Sequence, residues 1–268
     1  MKPGSFAKIK GGVCAPNAFL AGGIHCGVKS NAKDLDLAIV FSTAPAATAA
    51  TFTTNRVKAA PVRVSMAHLK LAGSRAIVAN SGNANACTGP DGMKHARMMA
   101  ASTAKALGLS RSDVLVCSTG RIGVLLPIAR IEKGIAKLAR KLSPNGGRSA
   151  ARGIMTSDTV PKEYALEFKI GKTAVRRGGM AKGAGMIDPN MATMLAFLTT
   201  DVAISDRDLQ KALGIAVDQS FNRITVDGDM STNDTVICIA NGQWTFCQIG
   251  KSKERLFNRF KEWDILSG

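Results

Sequence analysis

An α/β layered fold is predicted by three features of this sequence. β-Branched apolar runs are bounded by Gly, Asn, Ser or Thr, helical apolar stripes lie between them, and small residues dominate the composition. The runs are Leu35 to Phe41, Arg75 to Ala79, Asp113 to Cys117, Met194 to Ile204 and Thr235 to Ala240. One stripe spans Asp91 to Leu107 and is closed by Gly108. A second follows Pro127, with Ile128, Ile131, Ile135, Leu138 and Leu142 recurring at helical spacing. A third helix opens at Ser205, where Asp208 three residues on completes a capping-box variant. With 5% aromatic residues against 27 glycines, close-packed layers are favoured over a loop-rich scaffold.

Between these elements, Ser143 to Gly147 reads as a loop and Arg176 to Asn190 as a glycine-rich connecting stretch. The segment Gln243 to Gly268 holds both tryptophans and is dense in Lys, Arg and Phe. It reads as a terminal amphipathic helix with Leu256, Phe257, Phe260 and Trp263 on one side.

At 46% hydrophobic and 21% charged residues, the chain has the makeup of a soluble globular protein. Nothing approaches the roughly 18 uninterrupted apolar residues of a membrane span, and the basic N-terminus lacks a continuous apolar core, so a cytoplasmic location is expected. Six cysteines without a C-x-x-C pair predict reduced, mostly buried thiols and no metal site. The net charge of +17 raises anionic partners. The basic residues are spread, however, and the best group, Arg130, Lys133, Lys137, Arg140 and Lys141, reads as the solvated face of a core-packed helix. No aromatic interleaving or nucleic-acid signature accompanies it, so no nucleic acid is expected as a partner.

Chemistry concentrates at Lys182 to Leu195, KGAGMIDPNMATML. Glycines and a proline shape a tight backbone there, and a small residue then precedes a hydroxyl residue that opens an apolar run. A turn feeding a strand is the plain reading. The reactive one is that a threonine after a strained turn attacks the preceding carbonyl, shifts the acyl group from nitrogen to oxygen and frees a chain beginning with threonine. The new α-amine titrates near neutrality and is then the general base. His25, His68 and His95 lie in settings that mark none of them as a rival base. Cys117 to Gly123, CSTGRIG, follows a strand as a glycine-containing turn whose N–H groups could converge on an oxyanion, although a plain connection would look the same. Asp227 to Thr235 lacks the acidic twelfth position of a calcium loop and reads as an Asx-rich turn or the lining of a polar pocket.

Six ordered strings together resemble the ornithine acetyltransferases. They are FTTNRVKAAPV at Phe52 to Val62, NSGNANACTG at Asn80 to Gly89, STGRIG at Ser118 to Gly123, MTSDTVPK at Met155 to Lys162, KGAGMIDPNMATML at Lys182 to Leu195, and DGDMSTNDT at Asp227 to Thr235. The resemblance implies a layered α/β sandwich of that type with its C-terminal part missing. It also implies self-cleavage between Ala192 and Thr193. The chain would then divide into an α segment, 1–192, carrying the oxyanion-hole loop, the start of a β segment, 193–242, and a tail outside the family pattern, 243–268. Thr193 matches the nucleophile, Thr119 and Gly120 the oxyanion pair, and Thr156, Lys182 and Thr193 substrate-binding positions.

The implied reaction of arginine biosynthesis transfers acetyl from N2-acetylornithine to glutamate through acetyl-Thr193, without metal or organic cofactor. Acetyl-CoA is a second donor in part of the family, and the implied assembly is an α2β2 heterotetramer. Family chains continue well past Gly242, so poor transfer is expected of this chain, with apolar surface and unpaired edges around the strands at Met194 and Thr235. Two alternatives stand beside this reading. One is an aminopeptidase or amidase with an N-terminal nucleophile; the other is a non-enzymatic remnant that binds anions.

Overall fold

The computed structural model describes residues 6–71, 73–170, 173–184, 194–223 and 231–243. In chain order these form β1 (Ala7–Lys8), β2 (Phe19–Ile24), β3 (Leu37–Ser42), β4 (Ala47–Phe52), α1 (Ala60–Leu69), β5 (Ala76–Asn83), α2 (Gly89–Leu107) and β6 (Val114–Arg121). There follow α3 (Ile128–Ala139), α4 (Gly147–Ile154), β7 (Lys162–Ile170), β8 (Thr173–Lys182), β9 (Leu195–Thr200), α5 (Asp206–Gln219) and β10 (Thr235–Ala240). One sheet has the order β1-β7-β8-β9-β10-β4 and the other β2-β3-β5-β6.

Side-chain alternation along the strands assembles the layers. Ile77 and Ala79 of β5 and Leu115 and Cys117 of β6 pack against Met180 of β8, Leu195 and Phe197 of β9, and Ile237 and Ile239 of β10. The intervening residues face outward. Val78, Val114 and Val116 lie under α1, α2 and α3. Ala196, Leu198, Val236 and Cys238 lie under α5. The result is the expected layered sandwich, α/β/β/α, with α4 inserted at the inter-sheet core through Ala150, Ala151 and Ile154.

The local signals hold where they were strong. Gly108 closes α2 in the left-handed conformation at φ 67°, as an αL C-cap requires. The Ser205 hydroxyl accepts the Asp208 N–H at 3.1 Å to open α5. In α3, Ile131, Ile135 and Leu138 are buried while Lys133, Lys137 and Arg140 are exposed. The five described cysteines of this part of the chain are free, with Cys14, Cys117 and Cys238 buried. No helix among the described residues is long and apolar enough to cross a membrane.

Two expectations are corrected. The glycine-rich stretch from Arg176 is, through Lys182, an interior strand and not a connection. Glycine there serves contact: a Cβ on Gly178 would lie 2.0 Å from the Gly12 carbonyl oxygen. The second concerns the strands at Met194 and Thr235, which were expected to have bare edges. Instead β9 pairs with β8 and β10, and β10 with β9 and β4, while α5 covers their outer face. The proposed tail helix at Leu256 to Trp263 lies outside the described residues.

Because Phe197 is wholly buried between the sheets, Phe197→Ala should cost about 3–5 kcal/mol in urea unfolding. Lys133→Ala, on the solvated face of α3, should stay within about 0.5 kcal/mol. A Phe197 cost as small as that of Lys133 would contradict the assignment of this interface as the main core.

Candidate active site

The site is built where strand ends of the two sheets meet. β5 and β6 run parallel and end together, with Ser81 opposite Thr119 and Gly82 opposite Gly120. Both glycines are required by the close approach. Gly120 has φ 130°, and a Cβ on it would sit 2.4 Å from the Gly82 carbonyl carbon. Gly82 has φ 99°, and its Cβ would press on the Lys29 side chain at 2.9 Å. The Ser118 hydroxyl donates to Asn80 Oδ1 at 2.6 Å, fixing the two strand ends to each other.

Asn233 ties this corner to the other sheet. Its Nδ2 donates to the carbonyls of Ala84 at 2.7 Å and Ser118 at 2.9 Å. Its neighbour Asp234 accepts the Met194 N–H on Oδ1 at 2.9 Å, and Thr235 N–H donates to the Met194 carbonyl at 3.1 Å. Met194 is thus held on both sides of its backbone, one residue after Thr193. Thr193, Ala192 and the rest of 185–193 lie outside the described residues.

Alternation shows which face this corner presents. Leu115 and Cys117 point between the sheets, so Thr119, at the same parity, continues that face; it is 4% exposed, whereas Gly120 is open to solvent. Leu195 points to the same space from β9 and Thr235 pairs with it in register. Lys182 lies opposite Leu195 on β8, shares the parity of Met180 and is 3% exposed. Thr119 and Lys182 therefore belong to one inter-sheet space beside the point where β9 begins.

Thr156 joins through a carboxylate. The Asp158 side chain accepts the Thr156 N–H on Oδ2 at 3.2 Å, and on Oδ1 it accepts the Gly183 N–H at 2.9 Å and the Lys162 ammonium. Lys162 also donates to the Gly183 carbonyl at 2.9 Å. One acid thereby clamps the exposed turn at Thr156 to the end of β8 beside Lys182. Lys29 reinforces it by donating to the Met155 carbonyl at 2.7 Å.

Electrostatics follow from burial. Burial pushes the Lys182 ammonium down to about 8; Asp158 and Asp234 pull it back up, and Lys162 and Lys29 add to the fall. Burial likewise pushes the Asp234 carboxyl up to about 7, against the Met194 N–H, the Ser231 hydroxyl and the Lys182 charge. For Asp158, burial raises the pKa, but the Gly183 N–H, Lys162 and the Thr156 N–H outweigh it and hold the acid below the usual carboxylate range. Lys29, Lys162 and Lys182 are set against Asp158 and Asp234, with Asp34 and Asp36 also beside Lys29, and the Lys182 ammonium is the cation of this corner that could meet an anionic group.

Thr119, Thr156 and Lys182 are thus gathered at one corner, and Gly120 is at its rim. Sequence reasoning missed Asp158, Asn233 and Asp234 as members. The only signal for the last two was the reading of Asp227 to Thr235 as possible pocket lining. Among the described residues no group of three or more His, Cys, Asp or Glu side chains is arranged to hold a metal.

The ArgJ family model matches residues 20–263, which carries the match past Gly242 into the tail. The Arginine biosynthesis bifunctional protein ArgJ of Symbiobacterium thermophilum is 52% identical over 235 residues, 87% of this chain and 58% of that protein. This chain therefore spans less than two thirds of the length of that relative. The structure of Arginine biosynthesis bifunctional protein argJ from Bacillus halodurans superposes with a TM-score of 0.65 and 38% identity, covering 70% of this chain and 98% of that one. An ornithine acetyltransferase from Mycobacterium tuberculosis, solved in complex with ornithine, superposes with a TM-score of 0.63 and 40% identity over 69% of this chain and 98% of that one. With fold, motif order and relatives in agreement, this chain belongs to the ArgJ family.

Proposed function

We propose that this chain carries the nucleophile half of a glutamate N-acetyltransferase site of arginine biosynthesis. Thr193 is freed by cleavage after Ala192, takes acetyl from N2-acetylornithine and passes it to glutamate. The observation that carries the proposal is the pinned backbone of Met194. Met194 follows Thr193 in the sequence and stands at the start of β9, beside the inter-sheet space that Thr119 and Lys182 line. Family membership supports the same reading over an aminopeptidase or amidase, and the ornithine held by the Mycobacterium tuberculosis relative supports an amino-acid substrate.

In this reading Thr119 and Gly120 supply donors to the oxyanion as the Thr193 Oγ attacks the acetyl carbon. The Lys182 ammonium pairs with the α-carboxylate of either amino acid, and Thr156, steadied by Asp158, borders the same substrate. Cleaved halves assemble as an α2β2 heterotetramer in the cytoplasm. Acetyl-CoA is tested as a second donor alongside acetylornithine.

The test begins with mass spectrometry of the purified chain. A fragment starting at Thr193 is expected from the wild type and none from Thr193→Ala. Incubation with N2-acetylornithine in the absence of glutamate should then place an acetyl group on that fragment. An uncut wild-type chain, or cleavage that survives Thr193→Ala, would remove the nucleophile from this position.

Lys182 yields a prediction for the transfer reaction, measured by steady-state kinetics in the enzyme with its β segment complete. Losing a charged hydrogen bond costs about 1.5–3 kcal/mol, so Lys182→Ala should raise KM for acetylornithine and glutamate roughly ten- to a hundredfold. The ammonium is charged below about 8 and neutral above it, so carboxylate binding is strongest on the acid side. KM in the unsubstituted enzyme should therefore climb as pH passes 8, and this rise should vanish in Lys182→Ala. A KM indifferent to both changes would remove Lys182 from the substrate.

A further inference from the structure

We propose that the cavity between the starts of α1 and α2 binds a small phosphate monoester, with Lys58 and Arg63 taking the phosphate and an apolar lining taking the organic group. None of its lining residues belongs to the acetyl-transfer site, so the proposal stands independently of that reading.

The cavity has a volume of about 360 Å³, room for one small molecule. Its shape is set by the backbone. The chain is left-handed at Asn85, Cys87 and Gly89, with φ of 47°, 56° and 59°, which curls it tightly between β5 and α2. A Cβ on Gly89 would meet nothing within 4 Å, so the space beside this bend is open. The two walls are joined at their base. The Ala60 N–H donates to the Asn85 carbonyl at 3.3 Å, and Ala59, Ala84 and Ala86 pack as a buried cluster. Asn85 Nδ2 donates to the Gly92 carbonyl at 2.9 Å, tying the bend to α2. These ties fix the spacing of the walls.

Two cations line the cavity and no acid does. Asp91, exposed in the first turn of α2, is outside the lining. Each cation is already oriented by a main-chain carbonyl: Lys58 Nζ donates to Asn55 at 2.9 Å and Arg63 Nε to Lys58 at 3.2 Å. That orientation reduces the cost of ordering the two side chains on binding. The remaining N–H donors of the ammonium and the guanidinium are unspent, and neither side chain has an ion pair among the described residues.

This arrangement selects the ligand by its chemistry. An Arg fork beside a Lys point charge suits phosphate, and a monoester dianion matches the two positive charges. An amino acid would instead bring an ammonium that no carboxylate of the lining could meet. Val57, Ala60, Pro90 and Met93 form the apolar part, and Val57 is 53% exposed, a surface that the organic group of an ester would cover. Inorganic phosphate would leave it wet.

Phenyl phosphate is the probe, titrated into the whole chain by isothermal titration calorimetry, with amide shifts in proton–nitrogen correlation spectra locating it. A dissociation constant below about 1 mM is expected, with shifts centred on residues 57–63 and 87–93. Lys58→Met and Arg63→Gln should each weaken binding about tenfold or more, since each removes a charged hydrogen bond. Val57→Glu, at an exposed position where folding is not at stake, brings a carboxylate to the cations and should abolish binding. Lys133→Met, on the basic face of α3, should leave it within about twofold. Inorganic phosphate and benzoate should each bind about tenfold more weakly than the ester. Failure to saturate by about 10 mM, or shifts centred elsewhere, overturns the proposal. Equal weakening by Lys133→Met overturns it too, by tracing the binding to the net charge of the chain. Benzoate binding as tightly as phenyl phosphate overturns the assignment of phosphate, and inorganic phosphate binding as tightly overturns that of an ester.

Discussion

The dry contact between the two sheets is the constraint on which everything else in the molecule depends. Burying Phe197, Leu195, Ile237 and Ile239 against Leu115, Cys117 and Ile77 sets the parity of every strand that enters it. A one-residue slip of β6 or β9 would turn an apolar row outward and expose it. The same parity decides where polar residues at the strand ends can point. Thr119 and Lys182 reach a shared space because they occupy the next pleat of rows already committed to the core. The site is in this sense an extension of the hydrophobic interface past the line where apolar side chains stop.

At that line, polar residues take over the work of joining the sheets. Asn233 bridges them with two hydrogen bonds to carbonyls, Asp158 gathers two backbone amides and a lysine, and Ser118 closes on Asn80. Asp234 belongs to the same set, with the Met194 N–H on its Oδ1 and the Ser231 hydroxyl against it.

How much of this was legible in the sequence depended on whether a residue's environment is encoded locally. The helix α3 was legible because its stripe repeats every three or four residues, and α5 because Ser205 and Asp208 announce its start. Strands β5, β6 and β10 were legible from β-branched runs. Strand β8 was hidden, since Gly178 and Gly179 look like a connection when the reason for glycine is a distant turn at Gly12 pressing on the backbone. Strands β2 and β4, FLAGGI and ATAATF, are too rich in small residues to alternate visibly. In the site, Thr119, Gly120, Thr156 and Lys182 were named through motif resemblance. Asn233 and Asp234 were read as a turn because their partners, Ala84, Ser118 and Met194, are 40 or more residues away in the chain.

The position of β6 has one more consequence. Among the described residues it is the last strand of its sheet, bonded to β5 on one side only. An interior strand commits its amides to neighbours on both flanks, whereas a border strand has a row that the ladder leaves over. Thr119 and Gly120 stand at the end of such a border. The ladder to β5 makes their backbone rigid, and the opposite flank is held by side chains, with Ser65 bonding the Val116 N–H and carbonyl and Asn233 donating to the Ser118 carbonyl, so that exposed Gly120 stands beyond the last of these contacts. Negative charge arriving at Gly120 meets an exposed strand end whose anchorage lies upstream, at Ser65 and Asn233, so charge stabilisation at this corner makes little demand on the stability of the sheet.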